Sequence, residues 1–310
     1  MGCVTVKEIK FGKWGNCIEV SNGIVDFVAT IDFGPRIIRY GLVGKENMFF
    51  EDVNDKLNLD GEQFEVFGGG KWHIYGGHRL WHSPEGNPRS YYLDNEKVNW
   101  EKVENGIKLR PNPEKWNQLQ KEIEIVLMPD SSRVKVIHRT TNIGAWPIEF
   151  SQWALSVMAP GGKEVVPQPQ RQTGLLGNRI LALWPYSNMA DKRVFWGEKY
   201  ITVTQDSNAT TNFKFGLTNE DGWAAYFNRG DLFVKYYNHF MDAKYPDFGV
   251  SYETFTNAEM LEIESLGELK LTDPGETVEH VEEWELFGDV AVPNNDEAEI
   301  AALLSKYIKK

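Results

Sequence analysis

Turn dipeptides that recur between short apolar-rich runs constrain this chain more than any other feature. Asn22-Gly23 separates residues 14–20 from 24–31, and Asn105-Gly106 separates 97–103 from 107–110. Asn-Gly readily takes the positive φ values of the tight turns whose twist matches two antiparallel strands, so each site predicts a hairpin. Pro129-Asp130-Ser131-Ser132 predicts a third, between 119–128 and 133–141. In the second arm of that hairpin the period of two puts Val134, Val136 and His138 on one face, where His138 reads as a hydrogen-bonded core histidine. Further strand-like runs at 4–9, 36–42, 200–204, 212–217, 223–227, 231–240, 250–255, 260–266 and 277–287 are punctuated by pairs such as Asp221-Gly222 and Arg229-Gly230. Residues 148–158 end on Ala159-Pro160-Gly161-Gly162 and read as a buried strand.

This spacing predicts an all-β chain, with one β-sandwich domain over residues 1–290. Two stretches interrupt it, an acidic connection at 43–67 and a loop-rich excursion at 167–192 that is expected to edge the site. Residues 291–310 differ in kind. Asn295 reads as a cap, Glu297 and Glu299 fall in a first turn, and Ile300, Leu303, Leu304, Tyr307 and Ile308 form an apolar stripe. An amphipathic C-terminal helix packed on the outside of the β body is expected.

Composition narrows the partners. A net charge of −12 without a Lys/Arg block beyond Lys309-Lys310 argues against nucleic acid and anionic membranes. No run is long enough to span a bilayer, the first residues lack a secretory pattern, and two cysteines make no disulfide framework, so a cytoplasmic protein is expected. Aromatic residues make up 13% of the chain, including 11 Trp, which suits either a β-rich core or a carbohydrate site with stacking faces.

Candidate chemistry is concentrated in residues 68–85, where Trp72, His73, His78, Arg79, Trp81 and His82 lie among five glycines. This mixture reads as one wall of a polar-aromatic binding site or as a glycine-kinked strand pair with hydrogen-bonded histidines. On an extended backbone His78 and His82 point to one side and Arg79 and Trp81 to the other. His-x3-His without a neighbouring Glu partner is a weak metal motif, and neither metal nor cofactor is expected. A second candidate lies at 259–269, where Glu262 and Glu264 alternate with Leu261 and Ile263. Both carboxylates then leave one face of a strand, which is either a solvated outer face or part of a site. Two acids on one strand do not flank a scissile bond from both sides, which disfavours a hydrolase or lyase.

In order along the chain, the Gly34-Pro35-Arg36 corner, Gly77-His78-Arg79-Leu80-Trp81, Thr141-Asn142-Ile143-Gly144, Leu261-Glu262-Ile263-Glu264 and Pro274-Gly275-Glu276 resemble the galactose mutarotase-like (aldose 1-epimerase) superfamily. The resemblance runs over roughly residues 15–287. It implies a β-supersandwich of stacked antiparallel sheets, a sugar cleft, and ring opening by a base on the anomeric hydroxyl and an acid on the ring oxygen. By position Glu264 matches the base, with Glu262 as its rival, while Arg79 and His78 or His82 match the polar cluster. The resemblance also implies a histidine on the strand after the Asn142 turn, where this chain has Trp153 in Phe150-Ser151-Gln152-Trp153-Ala154-Leu155-Ser156. An indole stacks on a sugar but supplies no acid of suitable pKa. Either His78, His82 or His138 replaces it, or the chain binds sugar, on Trp72, Trp81 and Trp153, without turning it over.

Overall fold

In a computed structural model, described for residues 3–308, the predicted strands pair into two large antiparallel sheets. The first runs in the order Thr5–Lys10, Asn16–Ser21, Val25–Thr30, Ile37–Leu42, His78–Ser83, Ile148–Met158, Leu261–Leu266, Tyr252–Thr256, Phe213–Leu217, Leu181–Leu183, with Lys270–Thr272 added beside the start of Ile148–Met158. The second runs Val194–Trp196, Tyr200–Thr204, Lys163–Pro167, Trp223–Asn228, Asp231–Tyr237, Thr277–Phe287, Val134–Asn142, Leu119–Leu127, Gly106–Arg110, Asn99–Val103. Both Asn-Gly turns connect paired neighbours, as their backbone preference requires.

The sheets face each other across a core whose period of two is visible in Thr277–Phe287, where Val278, His280, Glu282, Trp284 and Leu286 point inward. Trp284, Tyr40, Phe49 and Phe233 interlock there with ring centroids 5.4 to 6.2 Å apart. Val134, Val136 and His138 share the inward face, and His138 is fully buried.

The glycines at 76 and 77 have a backbone cause. Both have positive φ, and a Cβ at Gly76 would lie 2.1 Å from the Phe50 carbonyl oxygen, one at Gly77 2.2 Å from that of Ile37. Only glycine lets the chain enter His78–Ser83 pressed this closely against its neighbours.

Two expectations change. The 43–67 connection contains a two-residue strand, Asn58–Leu59, paired with Trp72–His73. The terminal helix is shorter than its apolar stripe implies, spanning Glu297–Leu304, and Asp296 caps it by accepting from the amides of Ala298 and Glu299. Asn295, the expected cap, instead accepts from Lys163 and Thr202. Ile300 and Leu304 bury the helix against Val165, Trp223 and Val234. Among the described residues, no helix is long and apolar enough to cross a membrane.

Candidate functional site

His78–Ser83 occupies the middle of the first sheet, between Ile37–Leu42 and Ile148–Met158, and its alternation distributes the candidate residues to opposite faces. Arg79 and Trp81 project to the outer face, together with Trp153 and Leu155 from the neighbouring strand and Glu262 and Glu264 from the next. Cross-strand pairs fix this row, with Arg79 opposite Leu155, Leu155 opposite Glu264, and Glu264 opposite Glu253. The outer face is covered by residues from the two long excursions. Between them lies a cleft of about 400 Å³, lined among others by Trp72, Trp81, Trp153, Trp184, Tyr91 and Tyr186.

The aromatic wall is continuous. Ring centroids of Trp72 and Trp81 are 5.6 Å apart, those of Trp81 and Trp153 5.5 Å, and those of Trp81 and Tyr91 4.9 Å. Charged groups are set into this wall in pairs. Arg79 Nη1 donates to Glu262 Oε1 at 2.9 Å, and its guanidinium lies 4.6 Å from the Trp81 ring centroid. Lys214 Nζ lies 2.7 Å from Glu253 Oε2 and 3.2 Å from Glu264 Oε2, and 4.6 Å from the ring centroids of both Trp153 and Trp184. The Trp153 indole N–H donates to Glu264 Oε2 at 2.8 Å.

Glu262 and Glu264 are therefore buried, and the reading of this strand as a solvated outer face is excluded. Burial pushes both Glu264 and Glu253 above the usual carboxylate range, against the pull of Lys214. The same two carboxylates hold the Lys214 ammonium proton well above its ordinary value, although burial opposes them. Four buried polar atoms in this group have no protein partner: Trp72 Nε1, Arg79 Nε, Glu264 Oε1 and Glu253 Oε1. Two donors and two acceptors left unpaired around one cleft mark a place where a polar ligand would be satisfied.

The predicted histidines do not join them. His78 and His82 lie on the inner face, between the sheets, with 0% and 1% exposure. The reason is parity, since a residue next to Arg79 or Trp81 on a strand must point the other way. His73 sits on the short outer strand, half-buried, its Nδ1 2.6 Å from Asp55 and its ring stacked on Tyr75, and it does not line the cleft.

Inside the sandwich the histidines form a polar spine. His138 Nδ1–H donates to the His280 carbonyl at 3.0 Å, so its Nε2 must accept, at 2.7 Å, from His78 Nε2–H. His78 Nδ1 in turn accepts from Ser156 at 2.9 Å. His280 Nε2 meets Ser265 Oγ at 2.6 Å, Ser265 donates to Glu282 at 2.6 Å, and the fully buried Lys235 ammonium lies 2.8 Å from the same carboxylate. Ligand-type atoms of His78, His138 and Glu282 lie within 4.8 Å of one another. The Lys235 ammonium already supplies the cation to Glu282, and the two imidazoles satisfy each other. Desolvation holds His78 well below the ordinary imidazole range and brings His138 and His280 to about 3, so all three stay neutral.

Of the residues singled out from the sequence, Arg79, Trp72, Trp81, Trp153 and Glu262 line the cleft and Glu264 lies directly beneath it; Lys214, Trp184 and Tyr186, which also line it, and Glu253, which pairs with Lys214, were not singled out. Trp184 and Tyr186 come from the 167–192 excursion, which does edge the cleft. The lysine in Phe213-Lys214-Phe215 was the available signal for the rest, because a lysine in a strand with buried neighbours needs a carboxylate. A separate cavity of about 450 Å³ contains Lys121 and Glu114, which pair with each other at 2.5 Å.

No family model matches this sequence, and no curated protein matches it. Solved structures do. A candidate aldose 1-epimerase from Klebsiella pneumoniae is 12% identical, aligned over 98% of this chain and 86% of that one, with a TM-score of 0.58. A galactose mutarotase-like protein from Clostridium acetobutylicum is 10% identical over 92% of this chain and 99% of that one, with a TM-score of 0.52. A candidate mutarotase from Salmonella typhimurium is 10% identical over 88% and 90%, with a TM-score of 0.55. At such identities the likeness speaks for backbone architecture, and this chain has the galactose mutarotase-like β-sandwich fold.

Proposed function

We propose that the cleft binds a sugar ring and opens it at the anomeric carbon, in the manner of an aldose 1-epimerase, with Glu264 as the base. The observation that carries this reading is the set of unpartnered polar atoms, Trp72 Nε1, Arg79 Nε, Glu264 Oε1 and Glu253 Oε1, beside a cleft walled by indole rings. Flat apolar faces take the C–H face of a pyranose, and the free donors and acceptors suit its hydroxyls. Glu264 has one oxygen fixed by Trp153 and Lys214 and the other unengaged. Its raised pKa brings a carboxylate closer to the range in which a general base works at neutral pH. The two cations lining the cleft, Arg79 and Lys214, are each already paired with a carboxylate, which favours an uncharged sugar over a phosphorylated one.

A second reading is a non-catalytic sugar-binding protein. It is favoured by the position of Glu264, which is fully buried and lies beneath the groups that line the cleft. Anomer interconversion of α-D-glucose and α-D-galactose, followed by NMR or polarimetry, separates the two. Acceleration that disappears in Glu264→Gln supports the epimerase. Saturable sugar binding, with interconversion at the uncatalysed rate, leaves the binding protein. Neither binding nor acceleration across a panel of neutral aldoses rules out both.

A further inference from the structure

Ring opening needs a proton donor as well as a base, and no histidine reaches the cleft. We propose that Lys214 is that donor, acting on the sugar's ring oxygen as the partner of Glu264. The inference rests on the anomeric chemistry proposed above and assigns its missing half.

Lys214 is the only ammonium among the cleft-lining residues, and it stands between the two tryptophans, Trp153 and Trp184, at equal distance from both rings. Trp153 holds the place at which the family resemblance calls for a histidine. The ammonium that lies over its ring can supply the proton the indole cannot. Lys214 arrives from Phe213–Leu217, two strands away from Glu264, yet its Nζ is 3.2 Å from the Glu264 carboxylate. Facing it from the packed elements are Glu253 on Tyr252–Thr256, Glu264 on Leu261–Leu266, Glu85 after the His78–Ser83 strand, and Tyr186 from the outer excursion. The Glu262–Arg79 pair lies on the same wall.

The chemistry balances within this pair. Glu264 removes the proton of the anomeric hydroxyl, the electron pair of that O–H bond becomes the second bond of the C1 carbonyl, and the C1–ring-oxygen bond breaks toward the ring oxygen. That oxygen takes a proton from Lys214 Nζ, leaving a neutral amine beside a neutral carboxylic acid. After rotation about the C1–C2 bond, the hydroxyl attacks the other carbonyl face. Lys214 then recovers its proton from that hydroxyl and Glu264 returns one to the carbonyl oxygen. The two transfers also help each other. While Glu264 is ionised it holds the ammonium proton in place. Once it is protonated by the sugar that attraction is gone, and Lys214 becomes a stronger acid at the moment donation is required.

Three variants test this by steady-state kinetics of anomer interconversion. Lys214→Arg preserves the positive charge beside both carboxylates but holds its protons too tightly to donate, and should lower kcat by at least about a hundredfold with little change in KM. Lys214→Met combined with Glu253→Gln, which removes a buried charge along with its partner, should fold and bind glucose but show the same loss. Glu253→Gln alone leaves Lys214 with one carboxylate instead of two, and should move the alkaline limb of the kcat profile to lower pH. Wild-type kcat in Lys214→Arg, or an unmoved alkaline limb in Glu253→Gln, would overturn the assignment to Lys214 and leave the epimerase reading intact. A wild-type protein that binds glucose without accelerating its interconversion would overturn both.

Discussion

The buried Lys235–Glu282 pair offers a demanding test of how the two sheets are held together. Lys235 belongs to the second sheet, yet its ammonium also donates to the Ile263 carbonyl of the first at 3.0 Å, so it bridges the sandwich. Both side chains are 0% exposed, and their charged atoms lie 2.8 Å apart. Two unit charges at that separation attract by about 6 kcal/mol in an effective dielectric near 20. Removing both ions from water costs several kcal/mol each, which offsets most of this attraction. The intact pair should therefore contribute little net stability, while either half alone should be strongly destabilising. Lys235→Met leaves Glu282 with its Ser265 and Trp284 donors but no counter-charge, and should cost about 3–5 kcal/mol in urea denaturation. Glu282→Gln strands the Lys235 ammonium and should cost a similar amount. The double variant replaces both ions with neutral groups of similar size, and should cost less than either single change. The reasoning is refuted if the double loss equals the sum of the single losses within about 0.5 kcal/mol, the error expected of independent sites.

Other expectations follow from single residues. The His280 imidazole is held at about 3, below its unfolded value near 6.5, so between those limits the unfolded chain binds a proton that the folded one refuses. Stability from this group is complete above pH 6.5 and falls as pH drops toward 3; His280→Gln should flatten the stability profile there by up to about 1.4 kcal/mol per pH unit. Gly77→Ala places a Cβ 2.2 Å from the Ile37 carbonyl oxygen and should cost at least about 2 kcal/mol in chemical denaturation, whereas Gly161→Ala, with φ +90 but open space around it, should cost only about 1. Trp153→Phe removes the indole donor to Glu264 and should lower stability by about 1–3 kcal/mol, a loss that an unchanged urea midpoint would contradict.

Strand parity accounts for most of what was legible in the chain. It separated His78 and His82 from Arg79 and Trp81, and it put Glu262 and Glu264 on one face, because alternation is a local property of extended backbone. It could not say which face met a cleft and which met the second sheet. Hence His78 turned out to be neutral and buried in a hydrogen-bonded spine, His82 to be buried between the sheets with neither ring nitrogen hydrogen-bonded, and His73 to pair with Asp55 away from the cleft. The tryptophans, whose faces suited either core or ligand, line the cleft. Lys214 and Glu253 were silent for a different reason. Each lies in an ordinary-looking strand, and only their meeting beside Glu264 gives them a role.

The sequence by itself determined the β architecture: Asn-Gly turns close hairpins, alternation sets the inward faces, and glycines at 76 and 77 permit the close approach of the central strand. All of these act over a few residues. The tertiary structure decided which charges are paired, which are left wanting a partner, and that an ammonium rather than a histidine stands beside the candidate base. Those outcomes depend on lateral strand order and register, which bring residues 79, 214, 253, 262 and 264 onto one wall. Charge interactions depend on separation in space and not on distance along the chain, so only the assembled sheet could set them.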